Sequence, residues 1–410
     1  MKRKGRVKIM AINYAQRMQH VEKSIIREIL KAAGSKEVIS FAGGLPRPDL
    51  FPKEALQEAC AQVLQKDGKE ALQYCTTQGY VPLRQWIAKH YEESYHMHIP
   101  YENILITNGS QQGLDLISKV FIDSGDKVLM EQPGYLGAIQ AMNVFGPTFQ
   151  GIPLEEDGIN IEKLQEGLKL KPKLFYTVPD FQNPSGITYS KEKREQVAKL
   201  MEGTDTLLVE DNPYGNLRFE GEGLWPISSY MKGQSILLGS FSKIVAPGLR
   251  IGWICADKTI MDQLISVKQA ADLHTNNLSQ RMIYHYLMKG DFEEHLSQIR
   301  KTYKYQKECM IEAIKTYFPK EVTYTKPEGG MFLWVTLPHP MRSEVIFQHA
   351  IKEKVAFVPG RSFYVNGGGG NTLRLNFSNC QVDKIEEGIK RLGKIFRFYM
   401  DKYNNNKVVH

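Results

Sequence analysis

Cysteine is scarce in this 410-residue chain. Five residues (Cys60, Cys75, Cys255, Cys309 and Cys380) stand far apart, with no Cys-x-x-Cys pair and an odd total. That spacing excludes a zinc-finger pattern and a disulfide framework, and it suits a reducing compartment. Apolar runs of the ~18 residues needed to cross a bilayer are also missing. The start, Met1-Lys2-Arg3-Lys4-Gly5-Arg6-Val7-Lys8, has no apolar signal core. The chain therefore reads as cytoplasmic. Neither sign of charge dominates: 53 basic against 45 acidic residues leave a formal net charge of +8. Part of that excess is the N-terminal arm, read as a solvated terminus and not as a grip on nucleic acid or membrane. No repeat or low-complexity segment stands out beyond Gly367-Gly368-Gly369-Gly370, a flexible loop or tight turn.

What remains is the composition of a globular protein, 42% hydrophobic and 24% charged. The length suits one large domain plus a smaller one. From about residue 104 to 256, short apolar runs alternate with amphipathic stretches, the pattern of strand-helix units building a mostly parallel sheet. The expected strands are Ile104 to Thr107, Lys127 to Met130, Leu174 to Val178, Leu207 to Glu210, Ser235 to Leu238 and Gly252 to Cys255. After about residue 295 the texture changes to a long charged helix, strands at Met331 to Val335 and Thr372 to Phe377, and a closing helix from Val382. The expectation is an α/β protein: a large domain over 51–295, with a smaller α+β domain built from 296–410 and the arm and helix of 1–50. No linker separates the two.

Ligands of such sheets bind outside the carboxyl ends of the strands, and chemically suggestive residues follow those ends repeatedly. Lys243 lies in Gly239-Ser240-Phe241-Ser242-Lys243, with Arg250 seven residues on. An amine there can join an aldehyde, while the hydroxyls and guanidinium can hold a phosphate, the two demands of pyridoxal 5'-phosphate. Gly109-Ser110-Gln111-Gln112 opens a helix whose free N–H groups suit an anion. Asp211, in Asp211-Asn212-Pro213-Tyr214, would keep a pyridine nitrogen protonated. Asn183, before Pro184-Ser185-Gly186, and Tyr214 would reach the ring oxygen. Tyr135, in Pro133-Gly134-Tyr135, would stack on the ring. Taken singly, each has an ordinary reading as well: a solvated lysine, a helix cap, an Asx turn, a packed tyrosine.

In their order, these segments and Thr372-Leu373-Arg374-Leu375 resemble the fold-type I pyridoxal-phosphate aminotransferases. With Phe41-Ala42-Gly43-Gly44-Leu45-Pro46 and Ala271-Asp272-Leu273-His274-Thr275 added, the chain looks like the bacterial 2-aminoadipate and kynurenine aminotransferase branch. The likeness covers roughly residues 20 to 395. It implies that Lys243 is the imine-forming lysine and proton shuttle, that Asp211 pairs with the pyridine nitrogen, and that Asn183 and Tyr214 hold the ring oxygen. It places Ser110, Gln111, Ser240, Ser242 and Arg250 around the phosphate, Tyr135 on the ring and Gly44 beside the substrate. Arg374 matches the arginine that grips the substrate α-carboxylate, which its planar fork can bind at two points. Tyr74 matches a tyrosine lent to the neighbouring subunit's phosphate, implying a homodimer with shared sites.

The implied activity is amino-group transfer from an amino acid to a 2-oxo acid, with 2-oxoglutarate as acceptor and no metal. Arg27, in Ser24-Ile25-Ile26-Arg27-Glu28, falls in register with an arginine that meets a distal carboxylate in that branch. An exposed helix arginine offsetting Glu22 or Glu28 remains the other reading. Two further readings stay open for the whole chain. One is elimination or decarboxylation on the same fold. The other is a non-catalytic effector domain like that of MocR-type regulators, for whose helix-turn-helix domain the roughly forty residues before Phe41 leave no room.

Overall fold

The computed structural model describes residues 12–21, 29, 35, 37–231 and 233–407. The strands in chain order are β1 (Ile39–Ser40), β2 (Ile104–Thr107), β3 (Lys127–Gln132), β4 (Thr148–Glu155), β5 (Gly158–Ile159), β6 (Leu174–Thr177), β7 (Leu207–Asp211), β8 (Ser235–Ser240) and β9 (Gly252–Ala256). They continue with β10 (Thr323–Tyr324), β11 (Phe332–Thr336), β12 (Val355–Ala356), β13 (Val358–Pro359) and β14 (Thr372–Asn376).

Eight strands form one sheet in the order β2-β9-β8-β7-β6-β3-β4-β5. The run from β8 through β7, β6 and β3 to β4 is parallel, while β9 runs against both β2 and β8. The expected mostly parallel sheet is thus present with one reversed strand inside it. Helices such as Ser110–Phe121 and Lys191–Met201 occupy the crossovers, and Lys258–Asp272 follows β9, the last strand of this sheet in chain order. The central strands are buried on both faces, which is why they read as continuous apolar runs. Each fully buried Leu, Ile or Val there contributes roughly 1.5–3 kcal/mol.

The reversal of β9 matters for chemistry. Two successive antiparallel pairings make β2 run the same way as β8, so β2, β3, β6, β7 and β8 all end on one edge of the sheet, where β9 begins. Gly252, the first residue of β9, pairs with both Thr107 and Ser240, the last residues of its two neighbours.

A second, four-stranded antiparallel sheet has the order β10-β11-β14-β13. Phe292–Tyr317 and Val382–Lys407 are its long helices, and they pack on each other. The N-terminal segment joins this region. β1 pairs in parallel with β12, Phe41 N–H donates to Ala356 O at 2.8 Å and Asn376 N–H donates to Phe41 O at 2.9 Å. Among the described residues no helix is long and apolar enough to cross a membrane, and all five cysteines are unpaired.

Candidate active site

The shared strand edge opens into a cavity of about 350 Å³ between the two sheets, whose wall carries Lys243, Asp211 and Arg374. Asp211 ends β7 and is buried. Tyr176, on the neighbouring strand β6, donates its hydroxyl to Asp211 Oδ2 at 2.9 Å. The other oxygen, Oδ1, is buried with no partner. Burial pushes the Asp211 carboxyl up to about 7; the Tyr176 hydrogen bond pulls it down and the Glu131 carboxylate adds to the rise. A buried carboxylate oxygen without a partner is costly unless a cation or donor comes to it.

Lys243 stands three residues beyond the end of β8 and donates from Nζ to Gly44 O at 2.9 Å. Burial, then the Arg374 and Arg250 charges, lower its ammonium to about 8. Ser240 is the last residue of β8, and its Oγ accepts from Ser242 N–H at 3.1 Å.

Because Gly252 is bound between Thr107 and Ser240, Arg250 is delivered to the gap between the two serines and the turn after β2. Its guanidinium donates to Pro247 O at 3.3 Å and to Asn108 O at 3.2 Å, while its backbone is left-handed with φ 54°. Gly109, at φ 73°, lies beneath it, and a Cβ there would fall 2.5 Å from Arg250 Nη2. Only glycine allows both that backbone and that approach. Gly109 is also the N-cap of Ser110–Phe121 and offers the helix no side-chain acceptor, so the cluster of Ser110, Gln111, Ser240, Ser242 and Arg250 in the cavity wall is rich in donors and suits an anion. Gln111 is fixed by a 2.9 Å bond from Nε2 to Gly137 O.

Opposite this cluster, Arg374 on β14 reaches across from the second sheet. It donates from Nη1 to Asn183 Oδ1 and from Nη2 to Ala42 O, both at 2.7 Å, and its buried Nε has no partner. The guanidinium lies 4.4 Å from the Phe332 ring centroid, and burial lowers it to about 10. Asn183 Nδ2 donates to Tyr214 Oη at a long 3.4 Å. The Tyr214 phenol is raised by burial first and then by Tyr135. Tyr135 is half-buried, with its phenol pushed up to about 12, chiefly by burial.

The structure therefore brings Gly44, Ser110, Gln111, Tyr135, Asn183, Asp211, Tyr214, Ser240, Ser242, Lys243, Arg250 and Arg374 to one cavity. Tyr74 is not among them: it is 78% exposed and meets His274 edge-on at 5.8 Å. Arg27 lies outside the described residues. The sequence reading overlooked Val178 and Pro213, which line the cavity and could have been found by their places just past β6 and β7. It also overlooked Tyr176, which nothing in the sequence separates from a packed core tyrosine.

A lysine amine, a carboxylate with one free oxygen and a donor-rich anion cluster, spaced around a single cavity at the switch edge of an α/β sheet, define a site for a phosphorylated pyridine aldehyde. Residues 36–392 match the family model described as aminotransferase class I and II. The chain is 42% identical over 396 residues to aromatic-amino-acid aminotransferase 1 of Thermococcus litoralis, covering 95% of each chain. It is also 42% identical over 383 residues to the 2-aminoadipate transaminase of Thermus thermophilus, covering 92% of this chain and 94% of that one. Among solved structures it is similar to the Pyrococcus horikoshii kynurenine aminotransferase, determined with PMP, with a TM-score of 0.91, 42% identity and coverage of 94% and 97%. The chain belongs to the class I and II aminotransferase family. It is a pyridoxal-phosphate-dependent enzyme of fold type I, acting on small amino and 2-oxo acids.

Proposed function

We propose that this aminotransferase takes its amino group from 2-aminoadipate, aromatic or branched-chain amino acids and passes it to 2-oxoglutarate. The observation that carries the site assignment is the pairing, in one cavity, of the Lys243 amine with the unpartnered Asp211 Oδ1. Pyridoxal 5'-phosphate supplies an aldehyde that condenses with amines and a ring that accepts the electron pair left at the substrate α-carbon. The residues around it divide the remaining work. Ser110, Gln111, Ser240, Ser242 and Arg250 hold the phosphate. Asp211 Oδ1 holds the proton on the ring nitrogen, and Tyr135 stacks on the ring face. Asn183 and Tyr214 donate to the ring oxygen. Lys243, with an ammonium already lowered to about 8, has a neutral fraction near physiological pH large enough to take the proton from the substrate Cα and deliver it again. Arg374 has used two of its five N–H donors; the others, Nε–H among them, receive the substrate α-carboxylate beside Gly44.

The same reading makes the enzyme a cytoplasmic homodimer. Leu72, Tyr74 and Leu273 are 73%, 78% and 53% exposed, a run of apolar surface beside His274 that a second subunit would cover, placing Tyr74 at the partner's phosphate. Residues 51–295 are assigned to the large domain and 1–50 with 296–410 to the small one, with 1–11, 22–28, 30–34, 36, 232 and 408–410 lying outside the described residues. Arg27 reads the distal carboxylate of dicarboxylic donors. The names of the similar enzymes support the aromatic and 2-aminoadipate donors.

A donor panel with 2-oxoglutarate tests this: 2-aminoadipate, glutamate, leucine, phenylalanine and kynurenine, followed by 2-oxo acid release and by the bound cofactor's absorbance. An unchanged spectrum with every donor would overturn the proposal. The panel repeated on Arg27→Ala should show a selective loss of dicarboxylate donors, and sedimentation should give the dimer mass.

A further inference from the structure

Directly beneath the anion cluster, but outside the cavity, lies a polar network that the catalytic reading leaves unused. Lys268 and Asp272 sit four residues apart in the last turns of the helix Lys258–Asp272, a spacing that ordinarily gives an exposed ion pair of little worth. Here Lys268 is fully buried. Its Nζ donates to Asp272 Oδ1 at 2.6 Å and to Gln112 Oε1 at 2.9 Å. Asp272 Oδ2 accepts from Asn108 Nδ2 at 2.6 Å and from Gln112 Nε2 at 2.7 Å. Gln112 Oε1 accepts in addition the backbone N–H of Asn108 at 2.8 Å.

The network closes on the turn that joins β2 to Ser110–Phe121. Asn108 is held by its side chain and its N–H, and its carbonyl accepts from Arg250 Nη2 at 3.2 Å. Asn108 and Gln112 thus bracket Gly109, Ser110 and Gln111 from below. The backbone beyond Asp272 is strained as well. Leu273 has φ 63° and ψ −60°, and His274 N–H closes back on Asp272 O at 2.8 Å, a rare three-residue turn. Thr275, fully buried, then donates to Ile106 O on β2 at 3.2 Å. A costly turn and an ion pair whose lysine is fully buried while its aspartate is only a quarter exposed, both tied to the end of one strand, point to a position that must be held.

We propose that Lys268 and Asp272, acting through Asn108 and Gln112, are positioning residues that set the turn carrying Ser110 and Gln111 and so fix the grip on the cofactor's phosphate without touching it. The inference rests on the phosphate lying at the Ser110–Arg250 cluster. A role confined to general stability would weaken binding of any cofactor form alike; this role acts on the phosphate alone.

The test compares dissociation constants of the full-length, cofactor-stripped protein for pyridoxal 5'-phosphate and for pyridoxal, which lacks the phosphate. Asp272→Asn, and Lys268→Met combined with Asp272→Asn, should lower the preference for the phosphorylated form about tenfold, the usual size of an effect relayed through one supporting contact, while pyridoxal affinity stays near that of the wild type. Gln112→Leu leaves the ion pair and its direct bond from Asn108 Nδ2 in place and removes the three bonds made through the Gln112 amide, including the one that holds the Asn108 N–H. It should lower the preference in the same direction by a few fold, and it decides the matter should the charge variants fail to fold. Equal weakening toward both ligands, or no change in their ratio, overturns the proposal. Arg250→Met separates the two levels. An unchanged ratio there means that the phosphate lies elsewhere, whereas a collapsed ratio with the network variants unaffected sinks only this inference.

Discussion

Tyr176 holds one oxygen of Asp211 at 2.9 Å and leaves the other free and buried. The tyrosine thereby orients the carboxylate and, by donating to it, favours its charged form against the desolvation that pushes it up to about 7. Removing that donor in Tyr176→Phe should raise the Asp211 carboxyl further. Affinity of the stripped protein for pyridoxal 5'-phosphate should then fall about tenfold at pH 7, the worth of a charge-assisted hydrogen bond, and recover by pH 9. Asp211→Asn cannot recover at any pH, and its turnover should drop on the order of 10²-fold or more. Cofactor titrations at the two pH values check both.

The same carboxyl governs how the stripped protein responds to acid. Asp211 rises from 3.8 to about 7 and Glu131 from 4.5 to about 7, desolvation being the main cause for each. Both groups bind a proton more tightly folded than unfolded. Their contribution is therefore full below about pH 4 and lost as pH rises through about 7. Between those values Asp211→Asn should show a flatter dependence of melting temperature on pH than the wild type. Parallel curves would mean that the carboxyl titrates normally.

Lys243 carries the opposite shift, lowered from 10.5 to about 8 by burial and by Arg374 and Arg250. Capture of pyridoxal 5'-phosphate by the stripped protein should accelerate with pH around a midpoint near 8. Removing the larger positive influence in Arg374→Met should move that midpoint upward, and Arg250→Met should move it less. Lys243→Ala should abolish the capture. Stopped-flow absorbance gives the profile.

Arg374 is the residue least replaceable by its nearest chemical relative. A lysine keeps the charge but cannot bond Asn183 and Ala42 while presenting a fork to a carboxylate. Arg374→Lys should raise KM for every amino donor between about 10- and 100-fold, from the loss of one charged hydrogen bond, with a smaller change in kcat. Steady-state kinetics with two unrelated donors would expose a donor-specific effect, which would count against a role at the α-carboxylate.

Much of the site was legible because its residues lie at or shortly past the ends of apolar strands: Asp211, Ser240 and the Asn183 turn are placed by β7, β8 and β6, whose runs of buried residues stand out in any reading. β4 was not foreseen, since Gly151 and Pro153 interrupt its alternation and its burial is mixed. Tyr176 was hidden because a buried tyrosine in a strand looks the same whether its hydroxyl serves a carboxylate or simply packs. Lys268 and Asp272 were hidden for the converse reason, as an i,i+4 pair that helices usually turn to solvent. Tyr74 stands exposed outside the cavity, and the role proposed for it requires a second subunit that a single chain does not display.

The stitching of the N-terminal segment into the C-terminal sheet has a consequence for biosynthesis. Arg374 meets Ala42 across 332 residues of sequence, and Lys243 meets Gly44 across 199. A ribosome releasing this chain exposes Phe41 to Gly44 long before either partner exists, and the strands of the large sheet can pair first. The Arg374 side of the cavity is therefore the last part to be assembled, and a nascent chain stopped short of β14 would own the lysine and the anion cluster without the guanidinium proposed to receive the substrate carboxylate.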